Sequence, residues 1–278
     1  MQTNLYGRIK PLFLVFGGFS LILVVLRTVL KFTNIEKGLG FYRSVSPLVW
    51  TFNAIFIFAV VMLLGVGYYF SGTIDYTKIR VSTHTGFTAC IGGALLCVEQ
   101  IFNVQQIINS SINSTKIYKL QYIIAVTGIG GSVALIVLGL KLMSGIRRVG
   151  QLDAVILLLP VLWQLFDLVY KLFLKYTEVS SVSDQLLSIL SMTSVMLFLF
   201  AQARFVVFES SSKGIRYTIM TGYISALFGF VFAVPAVLCG IFSPKSVFDV
   251  ISSDNLLTIA FAVYSMFAAS DMIGQKFF

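Results

Sequence analysis

Charge is scarce in this chain. Lys, Arg, Asp and Glu make up 11% of its 278 residues, whereas a water-soluble domain of ordinary composition devotes about a quarter of its residues to them. A soluble globular protein is therefore excluded, and so is a disordered one. Histidine is scarcer still. With His84 as the single example, read here as a loop residue, there is no histidine pair for haem, no His-Glu-x-x-His zinc helix and no histidine-rich iron site. The three cysteines, Cys90, Cys97 and Cys239, sit inside apolar runs without a Cys-x-x-Cys spacing, which excludes a disulfide scaffold. Gly-x-Ser-x-Gly, paired intramembrane aspartates, a potassium-filter sequence and a lysine deep in an apolar run are also missing, so the usual signatures of hydrolases, potassium channels and retinal proteins are not found. No catalytic residue, cofactor or metal is implied, and the expectation is a protein that is not an enzyme.

What the chain has in abundance is apolar surface: 58% hydrophobic residues, 26 of them Phe, with a mean hydropathy of +0.93. A helix needs roughly 20 mainly apolar residues to cross the hydrocarbon core. Eight runs of that kind stand between charged or turn-forming segments: Pro11 to Leu30, Pro47 to Phe70, Gly86 to Ile108, Leu120 to Met143, Leu152 to Leu174, Gln185 to Phe208, Tyr217 to Phe242 and Leu256 to Ile273. A transmembrane β-barrel would alternate in polarity over ~10-residue segments, whereas Leu152 to Leu159 and Ala54 to Gly65 are apolar on both parities. The expected fold is all-α: a polytopic transmembrane bundle of about eight spans over residues 1–278, a single integral membrane domain with short loops and no soluble domain. The first span follows Arg8 and Lys10 as a signal peptide would, but Val29-Leu30-Lys31-Phe32 is no cleavage site, and it is read as a retained helix.

An even number of spans puts both termini on one side, side A. That side collects 11 of the Lys and Arg residues against 9 on side B, which leans towards a cytoplasmic side A and a location in the plasma membrane. The net charge of +9 is spread over short loops that cannot hold a nucleic-acid module, so the partner it suits is the bilayer and its anionic headgroups, and no nucleic acid. Acceptor patterns for glycosylation at Asn109 and Asn113 matter only if side B is lumenal.

Polar residues at membrane depth are the candidate functional sites, because charge there is costly to keep. In the fifth span Asp153, Pro160, Gln164, Asp167 and Lys171 follow at steps of 7, 4, 3 and 4, which holds them within about 60° of one line along a helix. Pro160 is expected to bend that helix by denying the Ile156 carbonyl its donor. Glu99, Asn103, Gln106 and Ser110 repeat the pattern in the third span, as do Ser20, Arg27, Lys31 and Asn34 in the first and Asp184, Ser188 and Ser191 at the start of the sixth. These stripes lie towards side B and imply a polar cavity open to that side, with Glu99 and Asp167 as charge or proton carriers, Gln164 and Asn103 as neutral ligands, and Arg27 as the counter-ion of Asp167 or Glu99. The competing expectation is that such residues are interhelical glue worth about 0.6 kcal/mol each.

The seventh span carries small residues along one face, including Gly222, Ala226, Gly229 and Ala233, with Pro235 as a second expected kink. Such a face lets another helix approach closely, within the chain or in a homo-oligomer or membrane partner. Two functions follow. One is a small-molecule or ion transporter or receptor with its site in the side B cavity. The other is a non-catalytic membrane subunit or assembly factor whose polar stripes only hold helices together.

Overall fold

The computed structural model describes residues 6–33, 46–71, 82–112, 119–144, 155–175, 182–207, 212–242 and 253–274. Asn34, Asn113, the residues beyond Ile112 up to it and Asp153 lie outside the described residues. Among those described, the chain forms eight α-helices and no strand: α1 (Tyr6–Thr33), α2 (Pro47–Ser71), α3 (Thr83–Ile112), α4 (Lys119–Met143), α5 (Leu158–Tyr170), α6 (Val182–Val207), α7 (Ser212–Ile241) and α8 (Ser253–Gly274). Seven of them are long and apolar enough to cross a membrane. The eighth, α5, has only 13 residues in regular α-helix. A turn at Leu157 precedes it and a π-helical turn, Lys171–Lys175, follows it. Pro160 stands in its first turn, and the interruption at Leu157 falls within the turn whose Ile156 carbonyl the proline leaves without a donor. Pro235 remains inside an unbroken α7.

Polar and apolar side chains are distributed as lipid, not water, dictates. Trp50, Ile57, Phe58, Val61, Tyr68 and Tyr69 of α2 are exposed, while Arg27, Glu99, Gln100, Gln164, Asp167 and Gln202 are buried. With seven spans of this character the chain is a multi-pass membrane protein, an all-α helical bundle whose apolar outer faces contact the bilayer.

Helices α3 to α8 close into a ring. Each packs on the next, and α8 returns to α3. Helices α1 and α2 stand outside the ring against α7. Phe16, Leu23 and Leu30, seven apart, form the inner seam of α1 and meet Phe52 and Leu63 of α2 and Ile219, Tyr223 and Leu227 of α7. The ring has its own apolar cluster, in which Leu96, Leu135, Trp163, Phe198, Phe261 and Tyr264 come from α3, α4, α5, α6 and α8.

Close approach of helices rests on small residues, since lipid offers no hydrophobic drive for association. A Cβ added at Gly139 of α4 would stand 2.5 Å from both Cys90 Sγ and Gly86 O of α3, and one at Gly93 would stand 2.9 Å from Ser132 O. The expected small-residue face of α7 is also used within the chain. A Cβ at Gly222 would meet the Ala269 side chain at 2.9 Å, and one at Gly229 would meet that of Ala262 at 2.8 Å, both on α8. Ala226 and Ala233 are fully buried. Of the two expected uses of that face, packing within the chain is the one seen at Gly222 and Gly229, where α8 occupies it.

Candidate functional site

The ring encloses a cavity of about 240 Å3, lined from five helices: Glu99 of α3; Trp163, Gln164 and Asp167 of α5, with Lys171 just beyond it; Ser188, Ser191, Met192 and Val195 of α6; Phe232 of α7; and Asp254, Asn255, Leu257, Thr258 and Phe261 of α8. It runs from the side B ends of α5, α6 and α8, where the Asp254 side chain is 42% exposed, inward to Trp163, Val195 and Phe261.

Local sequence explains why these groups converge. On α5 the offsets of 4, 8 and 1 from Trp163 to Asp167, Lys171 and Gln164 keep one stripe directed inward, and α6 contributes Ser188, Ser191 and Val195 at steps of 3 and 4. On α8 Asp254, Thr258 and Phe261 follow at steps of 4 and 3. Lys171 stands where α5 gives way to the π-helical turn, and its backbone N–H still bonds to the carbonyls of Asp167 and Leu168. Its ammonium reaches Asp167 Oδ2 at 3.0 Å and Asp254 Oδ2 at 3.6 Å. It thereby clips α5 to α8. A π turn inserted at such a point is a recurrent feature of functional sites.

Three of the lining residues leave a buried polar atom without a hydrogen-bond partner: Glu99 Oε2, Trp163 Nε1 and Ser191 Oγ. Their residues are 6%, 2% and 2% exposed. An unsatisfied buried polar atom costs about 1–3 kcal/mol, more for a charged group, and these three stand on three of the helices that line the cavity, α3, α5 and α6. Asp254 acts on Glu99 both as a charge and through a side-chain hydrogen bond, and the charges of Lys171 and Asp167 act on it as well. Among the described ion pairs Glu99 takes part in none; the ammonium nearest to it is already held between two other carboxylates.

Of the expected site residues, Glu99, Gln164 and Asp167 meet in this cavity. Asn103 does not line it. Its amide donates to Gln100 Oε1 at 3.3 Å, and Gln100 packs against the backbone of α4 at Gly128. Gln106, one turn further, is exposed, because α3 there reaches the end of the bundle where an amide can be hydrated. Arg27 is the clearest correction. It is 1% exposed, yet its partner is Asp184, with Arg27 Nη2 donating to Oδ1 at 2.7 Å while Lys31 Nζ sits 3.2 Å from Oδ2. Arg27 also lies over the Phe52 ring. The cause is position in the bundle: α1 packs on the far side of α7, so Arg27 can reach the first turn of α6 but not the ring interior. His84 proves to be an exposed residue in the first turn of α3, beside Phe267, and not part of a loop.

Asp254, Trp163 and Phe261 were not among the expected site residues. The i, i+4, i+7 pattern on α8 would have found Asp254 and Phe261 had that span been extended two residues towards its start. At the other end of the bundle, Asp271 of α8 accepts hydrogen bonds from the Ser82 N–H, at 2.8 Å, and the Thr85 hydroxyl, and so caps α3 from a neighbouring helix. Tyr264 and Gln202 bond to one another in the ring core. No group of three or more His, Cys, Asp or Glu side chains able to hold a metal ion occurs among the described residues. Compared with known proteins, the chain matches no family model, no curated protein and no solved structure.

Proposed function

We propose that the chain is a non-enzymatic transporter or receptor for a small ligand, with the cavity inside the α3–α8 ring as its binding site. Side A is taken as cytoplasmic in a plasma membrane, so the cavity faces the non-cytoplasmic side. The observation that carries the reading is that three residues lining the cavity, on α3, α5 and α6, each keep a buried polar atom without a partner: Glu99 Oε2, Trp163 Nε1 and Ser191 Oγ. Interhelical glue consists of polar groups that satisfy each other, as Gln202 and Tyr264 do. Groups left unsatisfied around a polar cavity, although Ser20, Gln100 and Ser225 show that such groups occur elsewhere in the bundle, suit a ligand instead.

The test is a thermal-shift screen of the purified protein in lipid nanodiscs against ions, amines, amino acids, sugars and nucleosides, with Glu99→Gln alongside. Gln keeps the shape of Glu99 and breaks no ion pair. A ligand at 100 times its Kd stabilises the folded state by about 2.7 kcal/mol. A shift in the wild type that Glu99→Gln abolishes supports the reading. If no compound shifts the wild type and Glu99→Gln changes stability alone, the chain is a structural subunit, and the next step is a search for a stoichiometric partner in gentle detergent.

A further inference from the structure

Resting on the ligand site just proposed, we infer that its ligand is a small organic cation carrying one hydrogen-bond acceptor, of the class of the amino alcohols. Four observations meet on this class. Glu99 is buried and takes part in no described ion pair; a side-chain hydrogen bond with Asp254 acts on it and its Oε2 is left without a partner, while the Lys171 ammonium is committed to Asp167 and Asp254. A cation brought into the cavity supplies what Glu99 lacks; an anion would face three carboxyl groups, Glu99, Asp167 and Asp254, against one ammonium.

The walls are also aromatic. Trp163, Phe232 and Phe261 line the cavity, with the Trp163 and Phe261 rings stacked at 6.1 Å between centroids. Aromatic faces beside a carboxylate are the surroundings that organic ammonium ions favour. Asp254 is within side-chain hydrogen-bonding reach of Glu99, but no group of three or more His, Cys, Asp or Glu side chains able to hold a metal occurs among the described residues, which suits a positive charge spread over an organic ion better than a bare divalent one. Trp163 Nε1 and Ser191 Oγ complete the description: the indole N–H can only donate, so the ligand must offer it an oxygen. A cavity of about 240 Å3 lies below the roughly 300–1,000 Å3 typical of drug-sized ligands.

Trp50 and Trp163 are the two tryptophans of the chain, and Trp50 is exposed on α2. A Trp50→Phe protein therefore reports on the cavity through Trp163 fluorescence. In phosphatidylglycerol nanodiscs at fixed ionic strength, it is titrated with choline, with ethanolamine and with 3,3-dimethylbutan-1-ol, the neutral isostere of choline. Magnesium chloride and sodium acetate are further arms. The expected result is a saturable change with choline or ethanolamine, at least tenfold weaker with the neutral alcohol, and weakened at least tenfold by Glu99→Gln.

Equal binding of the neutral alcohol, or a response to magnesium or acetate alone, overturns the inference. Should Glu99→Gln fail to fold, the comparison of choline with its isostere on the parent protein decides by itself. Binding of a sugar or an anion in the wider screen, with no response to amines, would retain the site and refute its ligand class; no response to any compound would refute both. Loss of the free-choline response in phosphatidylcholine discs assigns the cation to a lipid headgroup and its persistence to a free solute, and either upholds the class.

Discussion

Replacing Asp184 by Asn isolates the energetics of the Arg27 pair. Arg27 is 1% exposed and Asp184 31% exposed. Removing one member of a fully buried ion pair costs about 3–5 kcal/mol, because the other charge is left uncompensated. Here the carboxylate is partly open to solvent, which weakens the pair, and Asn retains one acceptor for the guanidinium; Asp184→Asn is accordingly expected to cost about 2 kcal/mol. Arg27→Met costs less, about 1 kcal/mol, since Asp184 keeps Lys31 at 3.2 Å and the thioether chain fills the seam beside Phe52. In the double variant no uncompensated guanidinium remains, and the expected cost stays near 1 kcal/mol rather than the sum of about 3.

The coupling of about 2 kcal/mol exceeds the average of about 0.6 measured for interhelical hydrogen bonds in a membrane protein. Unfolding in mixed micelles by titration with dodecyl sulfate, followed by circular dichroism, measures all four corners of the cycle. Single-variant costs that add to within about 0.5 kcal/mol would refute the assignment of Asp184 as the partner that keeps Arg27 in the bundle.

Two other outcomes are expected from the packing and the caps. Gly139→Val should lower folded yield and cost more than the about 1–3 kcal/mol usual for overpacking, because its Cβ would meet both Cys90 Sγ and the Gly86 carbonyl at 2.5 Å, whereas Gly18→Ala, with nothing within 4 Å, should be neutral or slightly stabilising; thermal melts of the two in one detergent check the contrast. Asp271→Leu removes the acceptor of the Ser82 N–H and the Thr85 hydroxyl and should cost about 1–2 kcal/mol, the upper range for a lost N-cap, with hydrogen exchange rising at the start of α3 before it rises elsewhere.

The spans were legible because a transmembrane helix is written in length and hydropathy alone. The starts at Pro47 and Leu120 fall within a residue of the observed helices. Sequence also gave depth, and so Glu99, Gln164 and Asp167 could be set at one level of one cavity. It does not give the order of helices around the bundle. Arg27 has the right depth to answer Glu99, but α7 stands between them, and its counter-ion came instead from the first turn of α6. Asp254 escaped notice for a different reason: it precedes the first apolar residue of its span and looks like a loop residue until the side chains of Thr258 and Phe261 are seen beside it. The α3–α4 contact at Gly86, Gly93 and Gly139 leaves no distinctive pattern in either helix by itself, since each glycine acquires its meaning only from the backbone across from it.

The partnership of Arg27 with Asp184 also sets a timetable for biogenesis. The two residues are 157 positions apart, so at roughly 5–20 residues per second a ribosome needs about 8–30 s after making Arg27 to deliver its counter-ion. Through that interval α1 has a guanidinium on its inner seam and neither the carboxylate nor the α7 surface that will bury it. The newborn helix must hold Arg27 towards a headgroup layer or within the insertion machinery, and settle to its final depth only when the second half of the chain arrives. A helix made well before its partners is thus locked in place only after them.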